Sequence, residues 1–270
     1  MFALLGYLIA DLCVRLLPDR LTERTGQGLA RLVFAVRPKA RRAVEANLAR
    51  LMPLAGPAVR RDHARAAFEH FALSLIDFLR LKRLDPAALA AAIEVRGAPH
   101  LDAALRAGRG VIVLSAHFGN WEWGAAYLSN AGARLHLVAR PHASPWVEAF
   151  FARSRREHGV SVIPGPPLWP AVARALRGGH WVALMGDRGG QGARGSVCAW
   201  AAALARRTGA LVLPAVMVRL APGRYAACFE APLSAEACAS GGYRAALDPY
   251  FRQYPGQWLA FEPAPEGLTQ

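Results

Sequence analysis

The segment GVIVLSAHFGNWEWG, residues 110–124, determines the fold class of this 270-residue chain. Its first half, Gly110 to His117, is a continuous apolar run of the kind found in strands of a parallel sheet that is covered on both faces. Gly119 permits a tight turn, and Asn120 is a favoured N-cap for a helix that starts at Trp121. A buried strand, a turn and a helix in direct succession indicate an α/β unit.

The same alternation continues along the chain after about residue 92. Short apolar runs with strand character alternate with stretches of helical periodicity, which predicts a mostly parallel sheet with helices on both faces. The predicted strands are IEVRG and residues 110–117, 135–140, 160–165, 180–187 and 210–218, followed by RYAACFEAPL. The predicted helices of this part cover 121–129, 145–157, 168–177, 199–208 and 242–253. The fold class is therefore α/β, with a mostly parallel central sheet flanked by helices.

The first 90 residues have helical periodicity instead, through 22–36, 40–52 and 57–80. The opening stretch MFALLGYLIADLCVRLLPDR contains Asp11 and Arg15 and stops at Pro18. It is shorter than the roughly 20 apolar residues of a transmembrane helix, and it lacks the basic start and cleavage site of a secretory signal. Such a helix either lies in the plane of a membrane surface or packs on the protein's own core. We expect an N-terminal helical, membrane-associating region over 1–90 and an α/β domain over 91–270.

The net charge of +14 predicts an acidic partner: an anionic membrane, an acidic carrier protein or nucleic acid. No nucleic-acid-binding motif accompanies the charge. The basic run RPKARR, residues 37–42, follows the apolar N-terminal segment, which favours an anionic bilayer surface. The four cysteines have no CxxC spacing and no clustered histidines, so neither a zinc site nor a disulfide framework is expected.

His117 is the first candidate for catalysis because it ends a buried strand, and ligands of such sheets bind beyond the carboxyl ends of the strands. Glu122 falls in the first turn of the following helix, where a turn can bring its carboxylate beside the imidazole. A carboxylate on one imidazole nitrogen leaves the other as a general base, here acting on a substrate hydroxyl. Arg140 and Asp187 follow later strands and are expected at the same crevice. Metal hydrolysis is the weaker alternative, since HExxH spacing is absent.

The string HFGNWEWG, with His117 and Glu122 in His-x4-Glu spacing, resembles the signature of the lipid A biosynthesis (late) acyltransferases and of the related bacterial phosphatidylinositol mannoside acyltransferases. The resemblance extends over most of the chain. It includes VEANLARLMP, FEHFALSLIDFLRL, ARPHASPWVEAFFARSRREHGVSVIP, ALMGD, ALARRTGALVLPAV and the closing YPGQWLAF.

This resemblance implies transfer of a fatty acyl group from a thioester, on acyl carrier protein or coenzyme A, to a hydroxyl of a membrane lipid. A lipid A-type acceptor is the first expectation, at the cytoplasmic face of the inner membrane with peripheral or monotopic attachment. The implied base is His117 with Glu122 as its partner. The implied substrate-binding or oxyanion-stabilising set is Arg140, Arg155, Asp187, Asn120 and Gly119, with no metal and no tightly bound cofactor.

Two regions depart from the family pattern. Arg188 replaces the usual Gln after Gly-Asp, and the following RGGQGARGSVCAW is short and glycine-rich; the chain then closes with EPAPEGLTQ where a basic Arg-Trp end is usual. These regions shape the acceptor and acyl pockets. A different acceptor, such as a lysophospholipid or an amino-acid lipid, therefore stays open, as does a membrane-bound family member without turnover.

Overall fold

The computed structural model describes residues 2–139, 141–164, 168–187 and 197–263. Five helices precede the first strand of these ranges, and strands then alternate with helices. In chain order the elements are α1 (Phe2–Leu16), α2 (Asp19–Val36), α3 (Pro38–Leu51), α4 (Pro57–Leu81), α5 (Pro86–Ala91), β1 (Ile93–Arg96), α6 (Ala98–Arg106), β2 (Val111–Ser115), α7 (Trp121–Asn130), β3 (Leu135–Ala139), α8 (Pro145–Glu157), β4 (Ser161–Pro164), α9 (Leu168–Arg177), β5 (Trp181–Met185), α10 (Val197–Thr208), β6 (Leu211–Ala221), β7 (Arg224–Phe229), α11 (Ala235–Ala239), α12 (Gly242–Gln253) and a 3₁₀ turn, Pro255–Gln257.

The strands form one sheet in the order β1-β7-β6-β2-β5-β3-β4. Every neighbouring pair is parallel except β6 and β7, which form an antiparallel pair. The mostly parallel sheet predicted from the sequence is therefore confirmed. The order places β2 beside β5, although β3 and β4 lie between them in the sequence.

Side chains of the central strands alternate between two hydrophobic cores, one on each face of the sheet, because successive residues of a strand point to opposite faces. Ile112 and Leu114 of β2 enter the core formed with α3, α9, α10 and α12. Val111 and Val113 enter the other core, beneath α7. Helix α4 contributes to both, through Phe68 to the first core and Phe78 to the second. The N-terminal helices thus share their cores with the sheet.

Helix α1 packs on the protein with one side only. Val14 is buried, and Tyr7 contacts the rings of Phe150 and Phe151 in α8. Leu12 and Leu16, on the opposite side, are exposed. No helix in the described ranges combines the length and apolarity that crossing a bilayer requires.

Candidate active site

The turn between β2 and α7 has the conformation that its residues predict. Gly119 has φ +56°, the left-handed region that glycine enters without steric cost. Asn120 is the N-cap of α7, and its side-chain oxygen accepts a hydrogen bond from the backbone N–H of Trp123 at 3.4 Å. This turn places His117 at the carboxyl end of β2, and Trp121 packs edge-on against the imidazole at 5.2 Å between ring centroids.

His117 is paired with Asp187, which follows β5. The distance from His117 Nδ1 to Asp187 Oδ1 is 2.9 Å, and the Asp187 side chain is fully buried. The two residues come together because β2 and β5 are neighbouring parallel strands, in register from Val111 opposite Trp181 to Ser115 opposite Met185. The expectation that polar residues after these strands meet at one edge is confirmed for this pair.

Asp187 is held as a carboxylate. Burial alone would raise its pKa, but the charge and hydrogen bonds of His117, together with a hydrogen bond from Trp258, outweigh burial and lower the pKa. The Trp258 Nε1–H donates to Asp187 Oδ2 at 3.1 Å. An ionised Asp187 accepts the Nδ1–H of His117, so Nε2 is the nitrogen that can take a proton from another group.

Glu122, predicted to be the partner of His117, is instead ion-paired with Arg155 of α8. Glu122 Oε1 lies 2.6 Å from Arg155 Nη2, and Glu122 Oε2 lies 3.1 Å from Arg155 Nε. Both side chains are about nine-tenths buried. A guanidinium can engage both carboxylate oxygens at once, which an imidazole cannot, so the pairing predicted for Glu122 is corrected. Burial lowers the pKa of Arg155, but Glu122 more than compensates and the pKa is raised.

Gly119 and Asn120, predicted to bind substrate, have internal partners. The Gly119 N–H donates to the carbonyl of Gln257 at 3.0 Å, and its carbonyl accepts from the Ser74 hydroxyl at 2.9 Å. The Asn120 amide donates to the Ser74 carbonyl at 3.0 Å and to the Tyr225 hydroxyl at 3.3 Å. The Gly119 N–H is therefore not free to stabilise an oxyanion, because the strand-to-helix turn needs these groups to hold its own backbone.

The segment after the 3₁₀ turn forms a clamp on the site that the sequence interpretation did not assign. The Leu259 N–H donates to the carbonyl of His117 at 2.7 Å, and Phe118 and Trp258 form an antiparallel bridge. Trp258 is buried and stacks on Phe251. Backbone and side chain of this segment thus hold both members of the His117–Asp187 pair. The closing string YPGQWLAF marks this segment in the sequence, but the string alone does not indicate that its tryptophan contacts Asp187.

Arg140 lies outside the described residues. Arg155 Nη1 is buried and has no hydrogen-bond partner in the part of the chain that the structure describes. Within the same part, no group of three or more His, Cys, Asp or Glu side chains is close enough together to hold a metal ion.

An apolar cavity lies between the sheet and α7. It has a volume of about 40 Å³ and is lined by Ser115, Trp121, Gly124, Met185, Met217 and Phe229, among others. Its lining residues come from α7 and from the strands that α7 covers. Trp121 both lines this cavity and packs on His117, whereas Trp123 is buried in the core and donates its Nε1–H to the Asp77 carbonyl.

A larger surface cavity of about 440 Å³ lies between α2 and α4. Its charged lining residues form ion pairs with each other, Arg31 with Glu69 and Arg65 with Asp62. This cavity is polar, whereas the apolar cavity is connected to His117 through Trp121, which lines it and packs on the imidazole.

Comparison with known proteins places this chain in a family. The profile described as "Bacterial lipid A biosynthesis acyltransferase" matches residues 2–241. A phosphatidylinositol mannoside acyltransferase of Mycolicibacterium smegmatis is 27% identical over 188 residues, which cover 68% of this chain and 61% of the relative. The phosphatidylinositol mannoside acyltransferase of Mycobacterium tuberculosis strain H37Rv is 28% identical over 148 residues, 53% of this chain and 47% of the relative. The matches thus span less than two thirds of either relative's length. Because this profile matches most of the 270-residue chain, the chain belongs to the bacterial lipid A biosynthesis acyltransferase family.

Proposed function

We propose that this protein is an O-acyltransferase that moves a fatty acyl group from a thioester to a hydroxyl of a membrane lipid, with His117 as general base. The observation that carries the proposal is the His117–Asp187 pair at the carboxyl edge of the sheet, with Nδ1 bonded to a buried carboxylate. It has the two distal members of a Ser–His–Asp arrangement, and the acceptor hydroxyl supplies the nucleophile.

The proposed reaction proceeds through one tetrahedral intermediate. His117 Nε2 removes the proton of the acceptor hydroxyl as the oxygen attacks the thioester carbonyl carbon. The imidazolium that forms is stabilised by the Asp187 carboxylate. Collapse of the intermediate breaks the C–S bond, and the imidazolium returns its proton to the departing thiolate. The products are the lipid ester and the free thiol, and His117 is neutral again.

The developing oxyanion needs a hydrogen-bond donor. The Gly119 N–H is already bonded, so the proposed donors and phosphate-binding groups are the two arginines, Arg140 and Arg155. Arg155 retains one unpaired buried nitrogen after its pairing with Glu122. In this scheme Glu122 orients Arg155 and does not act on His117.

The apolar cavity beside Trp121 is the proposed entry for the acyl chain. Its volume of about 40 Å³ is far below the roughly 300–1,000 Å³ of ligand pockets, so a fatty chain needs the lining to move. Met185 and Met217 line the cavity, and methionine side chains adapt readily because they are unbranched and have three rotatable bonds.

The donor and acceptor are proposed as classes. The donor is acyl carrier protein or coenzyme A carrying the acyl group as a thioester. A lipid A-type acceptor remains the first proposal, and a glycolipid of the phosphatidylinositol mannoside kind is the alternative suggested by the names of the relatives. Lysophospholipids and amino-acid lipids remain alternatives. The proposed location is the cytoplasmic face of the inner membrane, with peripheral or monotopic attachment.

The test is an acyl-transfer assay with the purified protein and labelled acyl thioesters on carrier protein and on coenzyme A, with extracted membrane lipids as acceptors. His117→Ala is expected to lower turnover by about 10²–10⁴-fold while the protein still folds, because general-base catalysis supplies that range. Mass spectrometry of lipids from cells with and without the chain identifies the acceptor. A folded His117→Ala protein with near-normal activity, or a wild-type protein that transfers from neither donor, refutes the proposal; the second outcome indicates a membrane-bound family member without turnover.

A further inference from the structure

We propose that His142, held by Glu148, binds a phosphate group of a substrate at the carboxyl edge of the sheet. The two residues form a second histidine–carboxylate pair at this edge, separate from His117 and Asp187. The inference rests on the proposed function, because it assigns a binding site to a charged part of a substrate and leaves the acyl-transfer chemistry as it is. It concerns binding, so it can be measured without turnover.

The pair leaves one ring nitrogen of His142 available. Glu148 Oε2 accepts a hydrogen bond from the backbone N–H of His142 at 2.9 Å and lies 2.7 Å from its Nδ1. Nε2 has no hydrogen-bond partner among the described residues, and the His142 side chain is 34% exposed. The backbone bond alone would hold the loop before α8. The additional bond to Nδ1 fixes the orientation of the ring and leaves Nε2 directed away from Glu148.

Phe151 connects this pair to the buried ion pair of Glu122 and Arg155. The His142 ring stacks on the Phe151 ring with 4.7 Å between centroids and 17° between planes. Arg155 Cζ lies 5.7 Å from the centroid of the same Phe151 ring. Arg155 Nη1 is buried without a hydrogen-bond partner in the described part of the chain. An available imidazole nitrogen and an unpartnered guanidinium nitrogen therefore lie around one phenyl ring, and both can donate to an anion.

The order of the strands places His142 on the same edge of the sheet as His117. Strands β2 and β3 flank β5. Because neighbouring strands are about 4.7–4.9 Å apart, the carboxyl ends of β2 and β3 are separated by about 10 Å. His117 follows the end of β2 by two residues, and His142 follows the end of β3 by three. Ligands of parallel sheets bind beyond these strand ends, so one extended substrate can reach both histidines.

Glu148 is held as a carboxylate, which suits anion binding by the protonated ring. Burial raises the pKa of Glu148, but the hydrogen bonds from His142, together with the charges of His142 and Arg155, outweigh burial and lower the pKa. The carboxylate accepts the Nδ1–H, and the imidazolium donates its Nε2–H to the bound anion. Hydrogen bonds between two ionised groups are roughly twice as strong as neutral ones.

Phosphate is the anion that the proposed substrates have in common. Both proposed donors carry the acyl thioester on a phosphopantetheine arm, and the headgroups of membrane lipids commonly carry phosphate. Phosphate oxygens can accept hydrogen bonds from His142 Nε2 and Arg155 Nη1 at the same time. Arg140, two positions before His142 in the sequence, adds a further cation to this segment. The ligand is therefore a phosphate ester, supplied by the donor or by the acceptor.

The experiment measures, by calorimetry on the full chain, the binding of matched compounds with and without phosphate. The donor arm compares phosphopantetheine with pantetheine, and the acceptor arm compares dihexanoyl phosphatidic acid with dihexanoylglycerol. The test variants are His142→Gln and Glu148→Gln, the second of which keeps the ring and removes the charge beside it. His100→Gln is the matched control, because His100 belongs to α6, which packs on β7 toward the opposite end of the sheet from β3.

In at least one arm, wild type and His100→Gln are expected to bind the phosphorylated compound at least about tenfold more tightly than its counterpart, because the phosphate adds charge-assisted hydrogen bonds. Each test variant is expected to lose about tenfold in affinity for the phosphorylated compound alone, with unchanged circular dichroism. The arm in which this loss occurs identifies the substrate that carries the phosphate.

The proposal is wrong if wild type does not distinguish the two members of either pair, or if both variants bind as wild type does. It is also wrong if the variants weaken the binding of both members equally, which is the result of a disturbed loop. Phosphate-dependent binding without acyl transfer by wild type overturns the proposed function and leaves this inference standing. Acyl transfer by wild type, with no effect of His142→Gln on phosphate binding, does the reverse.

Discussion

His117 and Asp187 are separated by 70 positions in the sequence, yet the His117 Nδ1 and Asp187 Oδ1 atoms are 2.9 Å apart. Parallel pairing of β2 with β5 brings their carboxyl ends together, and the β3 and β4 units, which lie between β2 and β5 in the sequence, are placed to one side in the sheet. The pair is therefore a product of strand order. It is the part of the site on which the proposed chemistry depends most directly.

Asp187→Asn is expected to lower turnover by about 10²–10⁴-fold, comparable with loss of the base itself. A neutral amide cannot stabilise the imidazolium, and it can present its NH₂ group to Nδ1, which favours the wrong tautomer of His117. The control is Asp62→Asn, the same change at the exposed Asp62–Arg65 pair, which should leave turnover unchanged. Steady-state kinetics on folded protein decide this, and normal turnover by Asp187→Asn would remove Asp187 from the mechanism.

Replacement of Glu122 is expected mainly to lower the free energy of unfolding. Glu122→Gln leaves the buried guanidinium of Arg155 without its counter-ion, which typically costs about 3–5 kcal/mol. A double-mutant cycle with Arg155→Gln, measured by denaturant unfolding, should show the double variant less destabilised than the sum of the single variants. Additive losses would mean that the two groups do not interact as the structure indicates.

Trp258→Phe tests the clamp on Asp187. Phe keeps the stacking on Phe251 but removes the Nε1–H donor to Asp187 Oδ2, leaving a buried acceptor short of a partner at a cost of about 1–3 kcal/mol. The pKa of Asp187 should rise, because that hydrogen bond lowers it. A lowered carboxyl pKa contributes stability above the unfolded value of 3.8, and this contribution is lost as pH falls through the folded pKa.

The difference in unfolding free energy between wild type and Trp258→Phe should therefore be full at pH 6 and shrink below about pH 4. Trp169→Phe, a change in a tryptophan that packs on Trp200, is the control and should show no such narrowing. If Trp258→Phe lowers the unfolding free energy by the same amount at pH 6 and pH 3, Trp258 does not influence the ionisation of Asp187.

The strands, most of the helices and their alternation along the chain can be predicted from local sequence patterns. The partners of the site residues cannot. The apolar run into His117, the φ of Gly119 and the cap at Asn120 are set by neighbours within a few residues, and the structure confirms them. Glu122 was assigned to His117 because it is close in sequence. Arg155, 33 positions away in α8, competes for it with two hydrogen bonds, and only the tertiary fold brings that competitor near.

The exposure of Leu29, Leu32 and Val36 on α2 is likewise not evident from the sequence. Their spacing predicts a helix with an apolar side, and such a side is normally the one that faces the core. In this helix the side that packs against α4 consists of Thr22, Gly26, Ala30 and Phe34. Only Phe34 among these is large and apolar, so the pattern alone does not reveal that the leucines point outward.

His70 of α4 is expected to make stability fall in mild acid. Burial and the nearby charge of Arg219 lower its pKa from 6.5 to about 4, against a smaller opposing effect of Glu69. The unfolded chain therefore binds a proton below pH 6.5 that the folded protein does not accept until about pH 4. The contribution of neutral His70 is full above pH 6.5, and about 2 kcal/mol of it should be lost by pH 5. His70→Gln, which does not titrate, should flatten the unfolding free energy between pH 7.5 and 5; an equally steep decline would exclude His70 as the source.

Gly119→Ala and Gly124→Ala form a matched pair on the two sides of the N-cap of α7. At position 119 an alanine would have to adopt the φ of +56° that Gly119 has, which costs about 1–3 kcal/mol. Its Cβ would also overlap the carbonyl oxygen of Met217. At Gly124 the nearest atom to a new Cβ is Met217 Cε at 3.5 Å, an ordinary contact, and alanine is favoured over glycine within a helix by up to about 1 kcal/mol. Denaturant unfolding should therefore show Gly119→Ala strongly destabilised or unfolded and Gly124→Ala unchanged or more stable. Equal tolerance of both changes would mean that the backbone of β6 does not approach the turn beside His117 as closely as the structure places it.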